Sequence, residues 1–155
     1  AYQSLHYHAI TTVYLRYAQA VKLPAPLTGF SDGTAQWVLH RGALGLPDNE
    51  VAVVISVSDC TEAWKDKDLA EKAHADIKRI CPDLGKPEAV RIITEKRATT
   101  AATVDFVQPD FSWLHHRRIY PAGDYLHPRY PATLEAAVQS GFAAAEKLML
   151  DLQVE

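Results

Sequence analysis

Between Ile10 and Tyr17 the chain alternates strictly: Ile10, Thr12, Tyr14 and Arg16 interleave with Thr11, Val13, Leu15 and Tyr17. A period of two over that length, in β-branched and aromatic residues, predicts a long strand within residues 6–21 with its Val13-Leu15-Tyr17 side apolar. That commits the early part of the chain to a sheet. Leu23-Pro24-Ala25-Pro26 ends the strand, because proline cannot donate into a ladder. Gly29 and Ser31-Asp32-Gly33 mark turns. A second strand is predicted over Ala35 to Arg41, a loop from Gly42 to Glu50, and a buried third strand from Val51 to Ser58. A helix is expected from about Asp68 to Ile80, with Asp68 and Glu71 as a capping-box start and Leu69, Ala73, Ile77 and Ile80 facing inward. Cys81 to Pro87 stops it, and Ala89 to Arg97 forms the next strand. The expected fold class is α+β: a mainly antiparallel sheet, a helix across it, and a C-terminal strand, loop and helix.

Composition narrows the function classes. With 16 Lys and Arg against 19 Asp and Glu the net charge is -3, and no basic face marks a nucleic-acid partner. The longest apolar run, Val51 to Ile55, is far short of the ~20 residues of a membrane span, and no signal peptide is seen. Cys60 and Cys81 fit a reduced, cytoplasmic setting, with Cys60 a buried and inert thiol. His6 and His8 share a strand face, and His115, His116 and His127 lie elsewhere. No acid or cysteine joins them at ligand spacing, so no metal site is expected. Ser140-Gly141 lies inside a helical pattern rather than on a strand–turn–helix elbow, which argues against a serine hydrolase. Trp37, Trp64 and Trp113 read as core or rim.

The most informative stretch is 118–142. Ile119 to Ala122 is a short apolar run that stops at Gly123-Asp124. A loop with Pro128 and Pro131 follows, then a helix with Leu134, Ala137, Val138, Gly141, Phe142, Ala145, Leu148, Met149 and Leu152 on one face. Pro131 suits the helix's first turn, and Glu135 complements the positive end of its dipole. The turn offers free backbone N–H groups beside an acid, an arrangement that can hold a carbonyl oxygen of a bound cofactor. Ala136, Ala137, Ser140 and Gly141 leave one flank smooth. The plain structural alternative is a C-terminal helix packed on a sheet.

Ala122-Gly123-Asp124, a short loop, then Tyr130-Pro-Ala-Thr-Leu-Glu-Ala-Ala-Val-Gln-Ser-Gly141 resembles the C-terminal FAD-binding motif of the flavin-containing amine oxidase and phytoene desaturase superfamily. The wording is most similar to its hydroxysqualene dehydroxylase branch, the squalene-associated FAD-dependent desaturases. The resemblance implies a glycine–acid pair at a strand end, with Asp124 on the ribityl hydroxyls of FAD. It puts Thr133 and Leu134 at the flavin carbonyl, and makes Gly123, Pro131 and Ala137 part of the cofactor-binding set. Where the family has glycine after the glutamate, this chain has Ala136, whose methyl takes up space beside the flavin.

The early strand, the Leu-Pro-x-Pro turn, Gln36-Trp37 and Arg41-Gly42 are similar to the same branch, as is Arg97-Ala98-Thr99. There, this segment belongs to a substrate-binding domain whose sheet covers the flavin and lines an apolar cavity. The family commonly has aspartate before that arginine; here it is His40. Val104 to Trp113 departs from the family's wording. The implied division is 1–98 in the substrate-binding domain and 99–155 in the FAD-binding domain. The seven glycines, at 29, 33, 42, 45, 85, 123 and 141, nowhere form the Gly-x-Gly-x-x-Gly turn that such an enzyme needs for the pyrophosphate.

The expectation is therefore a C-terminal fragment of a longer FAD-dependent oxidoreductase acting on an isoprenoid such as hydroxysqualene. Alone it is expected to be inactive and to bind FAD weakly. Peripheral membrane association through the lipid substrate and homo-oligomerisation through exposed apolar surface are expected with it, and no residue is assigned a catalytic role. The competing expectation is a non-catalytic binding or assembly domain that kept the flavin-motif helix.

Overall fold

The computed structural model describes residues 5–58, 66–104 and 107–153. The chain divides into two compact units, one of residues 8–98 and one of residues 1–7 with 99–155. The expectations for Cys60 and Trp64 lie outside the described residues.

Residues 8–98 are built on a five-stranded sheet. Its strands are β1 (Tyr7–Arg16), β2 (Leu27–Gly29), β3 (Trp37–His40), β4 (Glu50–Ser56) and β5 (Ala89–Thr100), in the order β2-β3-β4-β1-β5. The β1–β4, β2–β3 and β3–β4 pairs are antiparallel. Arg16, ending β1, accepts from the N–H of Glu88 just before β5 (2.8 Å), and His6 accepts from Ala101 just after it (2.8 Å). Early residues of one strand thus meet late residues of the other, so β1 and β5 also run antiparallel. The predicted strands are present with shifted ends: the first stops at Arg16 instead of running on toward the proline turn, the second is trimmed to Trp37–His40, the third covers Glu50–Ser56, and the last runs on to Thr100. Missed was β2: three residues between turn signals carry too little pattern, and Leu27–Gly29 is a strand because β3 supplies its ladder.

The alternation in β1 decides the layering. Val13, Leu15 and Tyr17 are buried with Val38, Val51, Val53 and Ile55 under helix α1 (Asp66–Lys78), which adds Leu69, Ala73 and Ile77. The helix starts two residues before the expected Asp68, so Asp68 lies inside its first turn beside Asp66, where both acids face the positive end of the dipole. Glu71 sits 3.9 Å from Lys67 in an i,i+4 pair rather than closing a capping box. Ile80 lies past the helix end and is only half-buried.

One buried acid was not foreseen in this layer. Asp76 accepts the N–H groups of Thr34 (2.7 Å) and Ala35 (2.8 Å), tying α1 to the turn that leads into β3. Gly33 in that turn has φ +99, and a Cβ there would lie 2.5 Å from Asp76 Oδ1. Only glycine meets both demands without strain. Beneath the same helix, Tyr17 and His74 meet at 3.1 Å between the phenol oxygen and Nδ1.

The second unit carries two helices, α2 (Ser112–His115) and α3 (Leu134–Gln153), and a 3-10 turn over Asp124–Leu126. Residues 119–123 form no strand, so Gly123-Asp124 does not end a strand as the resemblance implied. An apolar tetrapeptide becomes a strand only where a neighbouring strand completes its ladder. Helix α3 also begins later than expected: Pro131 precedes it, and Ala132 at φ 62 turns the chain into it.

Candidate functional site

The six residues expected to bind a cofactor all lie in this second unit, on the loop before α3 and on its first turns. Thr133 caps α3, its Oγ1 accepting the N–H of Ala136 (3.1 Å) while its carbonyl accepts that of Ala137 (3.1 Å). The N–H groups of Leu134 and Glu135 have no carbonyl one turn back within the helix to bond to. Leu134 is 89% exposed, so this turn opens to the outside. Thr133 and Ala137 are likewise exposed, and Pro131 is half-buried.

Gly123 is tied to the second turn of α3, its N–H donating to Ser140 Oγ (2.8 Å), which in turn donates to the Ala137 carbonyl (2.8 Å). Ser140 is six residues along from Leu134, about 9 Å at the helical rise. Gly123 is glycine because a Cβ there would lie 2.3 Å from the Tyr125 ring, which packs edge-on against Phe111 at 6.0 Å between centroids. Asp124 follows, half-buried, and among the described residues its carboxylate has no hydrogen-bond donor or ion-pair partner. Ala136, at the family's glycine position, is the one buried residue of α3.

A side-chain network fixes the loop between Asp124 and α3, and the sequence reading missed it. His127 Nδ1 accepts from the N–H groups of Arg129 and Tyr130 (3.2 Å each), which makes Nε2 the protonated nitrogen of the neutral ring. Nε2–H then donates to Gln139 Oε1 (3.0 Å). The Tyr130 hydroxyl donates to the same oxygen (3.3 Å), and Gln139 Nε2 donates to Glu135 (2.6 Å). The Glu135–Gln139 spacing of four was a readable signal; the return of the loop onto it was not. His115, Leu126, His127, Ser140 and Lys147 line a cleft of about 350 Å³ along this side of α3. Tyr120 donates to Asp151 (2.9 Å), which Lys147 also contacts. The Lys147 bond and then the Tyr120 bond hold the Asp151 carboxyl below its ordinary range.

A larger feature lies in residues 8–98, on the sheet face opposite α1. Tyr14, Ala52 and Leu39 are cross-strand neighbours there. With Ile93, Leu44 and Leu46 they line a groove of about 710 Å³. Arg41 closes one side, its Nε 3.4 Å from Glu50 and its guanidinium 5.2 Å above the Tyr14 ring. His40, where the family has aspartate, points its Nε2 at the Asp48 carbonyl (3.3 Å) and holds that loop.

The sequence profile of flavin-containing amine oxidoreductases matches residues 1–149. The chain belongs to that family. It is 31% identical over 147 residues to the hydroxysqualene dehydroxylase of Rhodopseudomonas palustris (strain ATCC BAA-98 / CGA009), covering 92% of this chain and 33% of that protein. It is 26% identical over 149 residues to the hydroxysqualene dehydroxylase of Zymomonas mobilis subsp. mobilis (strain ATCC 31821 / ZM4 / CP4), covering 90% and 32%. The chain thus spans about a third of the length of these relatives. Its fold is similar to a crystal structure from Exiguobacterium sp. 255-15 whose name, protoporphyrinogen oxidase, is provisional. The TM-score is 0.59 at 16% identity, over 93% of this chain and 36% of the other.

A family defined by a bound flavin needs donors for the ring carbonyls and acceptors for the ribityl hydroxyls. The open first turn of α3 and the unpartnered Asp124 carboxylate are groups of those two kinds in one unit, so the residues present fit the group. Among the described residues no cluster of His, Cys, Asp and Glu is arranged to hold a metal ion. No helix among them is long and apolar enough to cross a membrane.

Proposed function

We propose that this chain is the C-terminal portion of an FAD-dependent oxidoreductase acting on a long isoprenoid, such as hydroxysqualene or a related squalene or carotenoid precursor. The observation that carries the substrate reading is the apolar groove over Tyr14, Leu39, Ala52 and Ile93, whose volume falls within the ~300–1,000 Å³ usual for small-molecule sites. A sheet that buries one face under α1 and leaves an apolar floor on the other has a place for a hydrocarbon chain. Residues 1–98 then belong to the substrate-binding domain and 99–155 to the FAD-binding domain.

FAD, when bound, supplies the electron transfer, and the protein supplies orientation and exclusion of water. Asp124 would accept hydrogen bonds from the ribityl hydroxyls of a bound FAD, and the open N–H groups of Leu134 and Glu135, at the positive end of the α3 dipole, would be its donors for a ring carbonyl. Thr133 keeps that turn open by capping the next N–H along, and Gly123, held by Ser140, sets where Asp124 stands. Pro131 stiffens the approach, and Ala137 leaves a low wall on the second turn. Membrane association through the lipid substrate and self-association through Leu134, Val138, Phe142 and Met149 of α3 accompany this reading; all four are exposed.

The same exposed helix favours a second reading, a non-catalytic assembly domain that uses α3 as its contact surface. The upstream reading frame separates the two, since only the enzyme requires a Gly-x-Gly-x-x-Gly strand–turn–helix there. The direct experiment compares the full-length reading frame with the 155-residue piece for FAD retention and hydroxysqualene turnover. The enzyme reading expects flavin absorbance and turnover in the former and little of either in the latter. A full-length protein that retains no FAD would sink it.

A further inference from the structure

The groove beside β1 is laid out in two cross-strand rows. Leu39 pairs with Ala52 and Ala52 with Tyr14, giving an apolar row across β3, β4 and β1. The next row on the same face is charged. Arg41 follows two residues after Leu39, Glu50 stands two before Ala52, and Arg16, two after Tyr14, is the direct cross-strand partner of Glu50. Glu88 joins this end of the sheet, its N–H bonded to the Arg16 carbonyl (2.8 Å), and Arg91 lines the groove on β5. Three arginines beside two glutamates leave the end close to neutral, which suits an uncharged ligand better than an anion.

Arg41 does not stay in its own row. Its Nε pairs with Glu50 at 3.4 Å, yet its guanidinium lies 5.2 Å from the centre of the Tyr14 ring on β1. It therefore crosses β4 above Ala52, whose methyl is low enough to let it pass, and lies over the apolar row. The contact with Glu50 is made through Nε, and among the described residues the two terminal NH2 groups have no hydrogen-bond acceptor. A pure hydrocarbon seated here would strip water from those donors and give nothing back. A hydroxyl oxygen accepts from them, in a bond strengthened by the charge on the donor. We infer that Arg41 is a specificity-determining residue of the groove, its guanidinium holding the hydroxyl of a long isoprenoid alcohol whose chain runs over Leu39, Leu46 and Ile93. Glu50 and the Tyr14 ring fix where the guanidinium stands. This deepens the substrate reading above and rests on it for the nature of the apolar chain.

The test compares farnesol with farnesene, the hydrocarbon lacking its hydroxyl. Each radiolabelled ligand is dialysed to equilibrium against the purified full chain, below its solubility limit. A groove that ignores the hydroxyl favours the hydrocarbon, because the alcohol gives up its bonds to water. The expected result is farnesol bound at least as tightly as farnesene. Arg41→Met, first checked for an unchanged unfolding midpoint, should lose about tenfold for farnesol and hold farnesene within about twofold. Tyr14→Phe, which keeps the ring beneath the guanidinium and removes only the phenol O–H, should keep the preference. In the unaltered chain the Arg41 Nε–H signal in an NMR spectrum should move further with farnesol than with farnesene, a readout independent of how any variant folds. Equal loss of both ligands in Arg41→Met makes the residue structural and overturns the proposal, as does loss of the preference in Tyr14→Phe. Tighter binding of farnesoic acid than of farnesol makes the end an anion site and overturns it too. Farnesene bound more tightly than farnesol by the unaltered chain overturns the proposal while leaving the isoprenoid reading intact, and binding of neither overturns both.

Discussion

Replacing Asp76 tests the joint that holds α1 to the sheet. One oxygen of its carboxylate accepts two backbone N–H groups, from Thr34 at 2.7 Å and Ala35 at 2.8 Å. The side chain is 8% exposed and Ala35 is 1% exposed, so in Asp76→Ala water cannot replace the lost acceptor at Ala35. An N–H left dry costs about 1–3 kcal/mol, and the half-buried Thr34 N–H adds a smaller loss. Arg79 keeps its 2.8 Å bond to Asp32, so little is lost there. The expected destabilisation is therefore about 2–4 kcal/mol in urea unfolding with an unchanged slope. Asp76→Asn keeps an oxygen in place for both N–H groups and loses only the charge, for about 1 kcal/mol. Amide exchange at Ala35 should accelerate far more in the alanine variant than in the asparagine one. Equal costs for the two substitutions, or an Asp76→Ala cost under about 0.5 kcal/mol, would refute the assignment of the stabilisation to these two bonds.

Three further outcomes follow from the same geometry. Burial first, then Lys78 and Lys86, hold the His74 imidazole below its ordinary pKa of 6.5. The unfolded chain therefore binds a proton that the folded one resists, so stability should fall as pH drops below about 6.5 and level off once the folded imidazole also protonates. His74→Gln should flatten that part of a pH–stability curve. Thr133→Ala removes the cap on Ala136 N–H and should cost about 1 kcal/mol, seen as faster amide exchange confined to the first turn of α3. Gly123→Ala places a methyl where the Tyr125 ring now stands. Its Gly123–Ser140 bond should weaken and the Tyr125 ring signals shift in an NMR spectrum, whereas Gly141→Ala, with open space around its Cβ position, should change neither.

Much of the candidate site was legible as spelling. Asp124, Thr133 and Leu134 could be picked out because a glycine–acid pair, a proline-broken loop and a small-residue helix are all local patterns. The groove floor was half legible. The alternation that puts Val13 and Leu15 in the core also puts Tyr14 on the other face, but nothing in it says whether that face is covered. Three readings failed. Ile119 to Ala122 is not a strand and Leu27 to Gly29 is one, because each outcome depends on a hydrogen-bond partner supplied from elsewhere in the chain. Pro131 lies outside the helix rather than in its first turn because the backbone turns at Ala132, φ 62.

The amino-acid order alone determined the periodicities: which side of β1 is apolar, that α1 has an inward stripe, and that a long amphipathic helix closes the chain. Those are properties of consecutive residues, and side-chain direction within a strand or helix follows from backbone geometry alone. Only the tertiary structure decided that Asp76 satisfies the turn before β3, that His127 and Gln139 pin the loop ahead of α3, and that Tyr14, Leu39 and Ile93 floor one groove. The first and last depend on strand order and register and the second on the loop folding back over its helix, none of which a local pattern encodes.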